Sequence, residues 1–190
     1  TLKARMFEPI RGIDLEQRRL ELALHNGRVV DALNVCKESL FSRMTAKQAP
    51  AWLSAALHQF FVAQDVHERA SSSHEHYDLL ANTFFHSDVL YRCQRVLARL
   101  GQDCRVLADA IRWREPWARG DETARAIEDM AAAVIYVAST EEGRSAEYER
   151  PQRSLQALAT NLSAMNQEVS GVLQNEKWRM PADTALQDSQ

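Results

Sequence analysis

Glycine, proline and cysteine are scarce in this sequence, with 6, 5 and 3 of them in 190 residues. An all-β protein needs many tight turns, and glycine and proline are the residues that favour such turns. A strict alternation of apolar and polar residues is also missing, and no Asn-Gly or Asp-Gly pair lies between β-branched runs. The composition therefore argues against a β-sandwich or barrel and favours helices with short connections.

An excess of positive charge and a long apolar run are missing too. The chain carries 23 Lys and Arg against 26 Asp and Glu, a net charge of −3, so no basic field attracts nucleic acid or anionic lipid. The longest apolar run, Met130 to Ala138, is far shorter than the roughly 20 residues of a bilayer span, and no signal peptide is visible. We expect a soluble segment. The start at Thr1 without methionine and the polar end suggest a piece of a larger protein.

The strongest pattern lies between Ser87 and Arg114, where apolar residues recur in alternating steps of three and four. That spacing puts them on a single helix face; they are Leu90, Cys93, Leu97, Leu100, Cys104, Leu107 and Ile111. Ser87 is the predicted N-cap, and Pro116 ends the helix because the residue before a proline avoids the α region. A helix of about 40 Å needs neighbours along its whole length, which predicts the central helix of a bundle.

The remaining periodic segments give the predicted fold class: all-α, an antiparallel bundle of about six to seven helices around the central helix at 87–114. Gly27 is a predicted left-handed C-cap that separates a helix before Asn26 from a second helix after it. The predicted organisation is a leading linker over 1–12, a single helical-bundle domain over 13–176 and a polar tail over 177–190.

The three cysteines, Cys36, Cys93 and Cys104, all lie at apolar-periodic positions. An odd number of cysteines at such positions predicts buried, reduced thiols and a reducing compartment. A buried thiol is inert, and the GxSxG, P-loop and GxGxxG motifs are absent. We therefore predict no catalytic residue and no enzyme activity.

Histidines are concentrated in one third of the chain, with acidic residues nearby: His58, His67, His74, His76 and His86. Imidazoles and carboxylates are ligands of zinc and iron. Metal sites on helices use i, i+3 or i, i+4 spacing, and no two of these histidines are four apart. Solvated or capping histidines are therefore favoured, and we predict no metal and no cofactor. A free-standing helical ligand- or metal-binding protein that uses residues 58–88 is the alternative.

Polar residues near the start of the central helix form a candidate interaction surface: His86, Asp88, Arg92 and Arg95. The buried positions of this stretch are already filled by the apolar stripe, so these side chains are available to a partner. Acidic residues interrupt the arginines along the helix, whereas phosphate binding needs an unbroken positive stripe. Nucleic acid is therefore not a predicted partner.

Two blocks of the sequence resemble a known family. They are LELALHNGRVVDALNVCKESL (20–40) and HERASSSHEHYDLLANTFFHSDVLYRCQRVLARLGQDCRVLADAIRWREPW (67–117), a little over a third of the chain. Both are similar to the soluble region of FUSC-type inner-membrane proteins of the YccS/YhfK branch, which are related to fusaric acid resistance and aromatic-acid efflux proteins.

The resemblance implies a bacterial inner-membrane protein in which a helical cytoplasmic region lies between two blocks of transmembrane helices. This chain would be that region, a non-catalytic domain of a transporter or efflux protein that serves assembly, gating or partner contact. The partner that the resemblance implies is the set of transmembrane helices of the same polypeptide. A homo-oligomer is a further expected partner, which does not come from the resemblance. No cofactor and no binding residue follow from the resemblance.

Overall fold

The computed structural model describes residues 13–45, 52–72, 77–113, 115, 117–140 and 145–174. Within these ranges it contains six α-helices, a 3-10 turn at Ala146–Tyr148 and no strand. The helices are α1 (Ile13–Met44), α2 (Leu53–Ser72), α3 (Tyr77–Thr83), α4 (Val89–Trp113), α5 (Glu122–Ser139) and α6 (Glu149–Gln174). The prediction of an all-α bundle is confirmed.

The predicted central helix is α4, and it lies in the middle of the core. Its buried residues are Val89, Leu90, Cys93, Val96, Leu97, Leu100, Leu107 and Ala110, while Cys104 and Ile111 are half-buried. The Ser87 hydroxyl accepts a hydrogen bond from the Val89 backbone N–H at 3.2 Å, which is the predicted capping contact. The helix ends at Trp113, and Pro116 lies outside the described residues. Because Val89 and Val96 are also buried, the buried face is wider than the predicted stripe.

Helices α5 and α6 cover most of the buried face of α4. In α6 the buried residues recur every three or four positions, as their spacing in the sequence requires: Leu155, Leu158, Leu162, Met165, Val169 and Val172. In α5 the buried positions are Thr123, Ala126, Met130 and Val137. Met130 is fully buried and Leu155 nearly so, so the centre of the core lies where these helices meet α4.

Helix α1 is continuous through Gly27, so the predicted break at Asn26-Gly27 is wrong. A glycine inside a helix costs about 1 kcal/mol relative to alanine, which weakens a helix but does not end it. Helix α1 packs along α2, and the Asn26 amide donates a hydrogen bond to the Ser71 hydroxyl at 3.3 Å. Contact with α2 on both sides of Gly27 outweighs the local preference, because Leu22 and Leu40 are both buried.

The prediction that all three cysteines are buried is confirmed for Cys93. Cys104 is only half-buried, and the prediction is wrong for Cys36, which is exposed. Helix α1 makes its main contact with a single neighbour, α2. Cys36 lines a shallow groove on α1 beside Val35 and Leu40 that α2 leaves open. Periodicity identifies the apolar face of a helix, but it does not show how far a neighbouring helix covers that face.

A partly buried ion pair fixes the segment between α4 and α5. The Asp103 carboxylate accepts hydrogen bonds from Arg119 Nε and from the Thr123 hydroxyl, both at 2.8 Å. Arg119 Nη1 donates to the Ser170 hydroxyl at 2.6 Å. The Arg119 and Asp103 side chains are only 12% and 17% exposed. The Arg119 guanidinium thus joins α4 to α6, and the Asp103 carboxylate joins α4 to α5.

Removal of the guanidinium group should be costly. Arg119→Ala leaves the Asp103 carboxylate largely buried without its cation, and we expect the free energy of unfolding to fall by about 3 kcal/mol or more. The control is Arg95→Ala, because the Arg95–Asp129 pair is 46% exposed on both sides and such pairs contribute about 1 kcal/mol or less. Urea unfolding measures both changes. A similar small loss in the two variants would contradict a structural role for the buried pair.

Gly27→Ala should stabilise the protein. A Cβ at position 27 would meet no atom within 4 Å, so alanine adds helix propensity at no steric cost, and we expect a gain of about 0.5–1 kcal/mol in the free energy of unfolding. Gly171→Ala in α6 is the matched control, since position 171 is equally open. Denaturant unfolding followed by circular dichroism measures both. A gain at position 171 with a loss at position 27 would mean that α1 is not continuous.

Candidate functional site

An open cleft lies where the ends of four helices meet. It is bounded by the turn between α3 and α4, the last turn of α5 and the start of α6, and its volume is about 840 Å³. We call it the end cleft. The side chains that give it chemical character are Phe85, His86, Asp88, Tyr136, Tyr148 and Arg150.

The turn between α3 and α4 holds one aromatic ring inside the core and presents the next one to solvent. The Phe84 N–H bonds to the Leu80 carbonyl and the Ser87 N–H to the Phe84 carbonyl, both at 2.9 Å. Phe84 is 3% exposed and makes an edge-to-face contact with Tyr148 at 6.3 Å between ring centroids. Phe85 is 67% exposed, and its ring centroid lies 3.5 Å from that of His86. The cleft wall is therefore an exposed aromatic pair on a well-packed turn.

Ion pairs continue from the end cleft along the outer side of α4. Arg92 pairs with Asp88 at 2.8 Å, one helical turn apart. The hydrogen bond and the charge of Asp88 raise the pKa of the Arg92 guanidinium. Arg95 pairs with Asp129 on α5 at 3.2 Å. Because a carboxylate accompanies each of these guanidinium groups, the surface is a row of balanced charges and not a positive patch.

The four residues predicted as an interaction surface are only partly brought together. His86 and Asp88 line the end cleft. Arg92 and Arg95 do not line it, since they lie one and two turns further along α4 and are held by their own acidic partners. The structure thus divides the predicted surface into a cleft wall and a neighbouring row of ion pairs.

Sequence reasoning missed the aromatic residues of the end cleft. Tyr136 is 70% exposed, although it lies within the most apolar run of the chain. Helical periodicity in the sequence does indicate that Tyr136 is exposed, because the buried positions of α5 recur with helical spacing at Ala126, Met130 and Val137. Tyr136 and its neighbour Ile135 fall outside that spacing and therefore lie on the uncovered side of α5.

The histidine-rich third does not form a metal centre in the part of the chain that the structure describes. His58 and His67 lie on α2 and are half-buried, whereas His86 is exposed in the end cleft. His74 and His76 lie outside the described residues. Among the described residues, no group of three or more His, Cys, Asp or Glu side chains is placed to hold a metal ion.

A second cleft lies along the sides of α1, α2, α4 and α6, with a volume of about 640 Å³. We call it the lateral groove. Its walls are mainly aliphatic and include Leu22, Val62, Val66, Leu107, Ile111 and Val172. The ionisable side chains that line it are His25, His67, Cys104 and Arg105. An apolar cleft with a few polar groups is the usual form of a small-molecule site.

Two of the cysteines are unsuited to nucleophilic chemistry. Burial raises the pKa of the Cys93 thiol to about 12. Burial also raises the pKa of the Cys104 thiol, and the negative charge of Asp103 adds to this effect. Because the thiolate is the reactive form, both thiols stay protonated and inert near neutral pH.

None of the helices in the described ranges combines the length and the hydrophobicity that a membrane span requires. The fold and its clefts define the class of the molecule as an all-α bundle with an aromatic cleft at one end and an apolar groove along one side. A family profile described as FUSC-like inner membrane protein yccS matches residues 1–169. The chain therefore belongs to the FUSC-like family.

Two curated proteins are similar to this chain. The chain is 41% identical over 137 residues to "Inner membrane protein YccS" of Escherichia coli (strain K12), a match that covers 70% of this chain and 18% of the relative. It is 30% identical over 125 residues to an "Uncharacterized protein" of Haemophilus influenzae (strain ATCC 51907 / DSM 11121 / KW20 / Rd), covering 66% and 17%. The matched region is thus less than a fifth of either relative. No solved structure matches the chain.

Proposed function

We propose that this chain is the non-catalytic cytoplasmic region of a bacterial inner-membrane protein of the transporter or efflux type. The observation that carries the proposal is the family match over residues 1–169, together with a much longer relative named as an inner membrane protein. In such a protein the membrane-spanning part would lie outside the segment of the relative that matches this chain. Three free cysteines are consistent with the reducing cytoplasmic side.

The role that fits the surface best is contact with a partner at the end cleft, in assembly or in gating. Phe85 and Tyr136 are about two-thirds exposed, and aromatic residues are enriched at the centres of protein interfaces. The neighbouring ion pairs of Arg92 and Arg95 form a polar rim, which would set the orientation of a partner more than its affinity. The partner would be the transmembrane part of the same polypeptide or a second copy.

Cys36 provides a test of the cytoplasmic placement, because it is exposed while Cys93 is buried. In the full-length protein in spheroplasts, we expect a membrane-impermeant maleimide to leave Cys36 unlabelled until the membrane is permeabilised. A Cys36→Ser variant is the control, and it should lose the label that appears after permeabilisation. Labelling of Cys36 in intact spheroplasts would place this region on the periplasmic side and contradict the proposal.

Charge reversal tests the contact surface. In the full-length protein, Arg92→Glu with Arg95→Glu turns two attractive pairs into repulsion with Asp88 and Asp129, and reverses the rim charge that a partner meets. We expect self-association, measured by cross-linking, and substrate export to fall several-fold.

The matched control is Arg43→Glu with Arg112→Glu, which changes the net charge equally. Those two guanidinium groups lie over the rings of Trp52 and Trp113 and do not line the end cleft. The control should leave self-association and export unchanged. If the Arg92 and Arg95 double variant also leaves both unchanged, the surface has no role in assembly or gating.

A further inference from the structure

We propose that the lateral groove binds a medium-chain fatty acid, with the acyl chain lying along α4 and the carboxylate beside Arg105. This inference concerns a ligand of the bundle itself and goes beyond the proposed function. It is independent of the end cleft, since the two clefts share no lining residue.

The groove extends along the helices that form it. Along α4 its lining residues extend from Gly101 to Ile111, and along α2 from Gln59 to Ala70. Ten residues of helix rise by about 15 Å. A helical side chain leans towards the N-terminus of its helix, so the Arg105 guanidinium can meet a carboxylate near the Gly101 end of the groove. An extended acyl chain of about twelve carbons then reaches towards Ile111. The volume of about 640 Å³ lies within the usual range for small-molecule sites.

The walls suit an alkyl chain. The residues at the back of the groove are aliphatic and buried, with Leu107, Val169 and Val172 at most 8% exposed. They belong to one apolar cluster with Val62. Water in such a cleft gains few hydrogen bonds, so an alkyl chain that displaces it is favoured by the hydrophobic effect.

The charge of the lining selects an anionic head group. Arg105 lines the groove, and none of its described lining residues is acidic. Other arginines of α4 are matched within the structure: Arg92, Arg95 and Arg99 pair with carboxylates and Arg112 lies over a tryptophan ring.

Arg105 differs from these arginines. In the described part of the chain it has no ion pair, although Asp109 follows it by one helical turn. A single unmatched cation on the wall of an aliphatic groove is complementary to one carboxylate on an alkyl chain.

The test uses the 190-residue chain and dansylaminoundecanoic acid, a fluorescent fatty acid. We expect saturable binding at one site per chain, and displacement of the probe by dodecanoate below its critical micelle concentration. Dodecanol, which lacks the charge, should displace the probe about ten-fold less well, and dodecyltrimethylammonium should not displace it.

Two variants separate the head group from the chain. Arg105→Glu should weaken dodecanoate binding about ten-fold, equal to about 1.4 kcal/mol, and leave dodecanol binding within about two-fold. Arg112→Glu is the matched control on the same helix and should change neither. Ala108→Trp, at an exposed position of the groove wall, should abolish binding of both ligands with an unchanged unfolding midpoint. Ala63→Phe on the facing helix replaces it if the tryptophan variant is unstable.

Absence of saturable probe binding would overturn the proposal, as would equal dodecanoate affinity in the wild type and in Arg105→Glu. A dimer that Ala108→Trp dissociates, in a chain that binds no probe, would assign the groove to a second copy and also overturn it. None of these results bears on the membrane context of the chain, so failure of the ligand site is distinguishable from failure of the proposed function.

Discussion

Burial of the apolar face of α4 is the constraint on which the rest of the fold depends. Cys93 and Val96 are completely buried, at the centre of the cluster that also contains Met130 and Leu155. One helix cannot bury such a face alone, because a neighbour is needed along its whole length. Helices α5 and α6 meet this need, α2 packs on α6, and α1 packs on α2. The packing constraint on a helix therefore decreases from α4 through α5 and α6 to α2, and is weakest for α1.

This decrease in packing constraint from α4 to α1 explains which parts of the fold can be predicted from the sequence. In α4 and α6 the apolar residues of the periodic stripe face a neighbour, so the periods of three and four translate directly into buried positions such as Leu97 and Leu162. Helix α1 lies in the outer layer, and two predictions that sequence patterns gave for it are wrong. One ended the helix at Gly27, where contact with α2 carries it through, and the other buried Cys36, which is exposed among the described residues. Sequence patterns report the preference of a segment, and packing decides the outcome where that preference is weak.

The candidate sites were less predictable than the fold, because each depends on helices that are distant in sequence. His86 and Asp88 were found as polar residues beside a buried stripe. The partner of Arg95 is Asp129 on another helix, and no local pattern identifies such a pair. Tyr136 could have been placed outside by periodicity alone, but its position beside Phe85 depends on how α5 ends against the turn before α4. The lateral groove lies between four helices and has no local signature.

Helix α4 also connects the two clefts physically. Its first half carries Arg92 and Arg95 beside the end cleft, and its second half carries Leu107 and Arg105 in the lateral groove. The outer wall of the groove is α1, whose main contact is with α2 and which exposes apolar side chains such as Leu24 and Val35. A ligand between α1 and α4 would therefore stabilise the outer layer against the central helix.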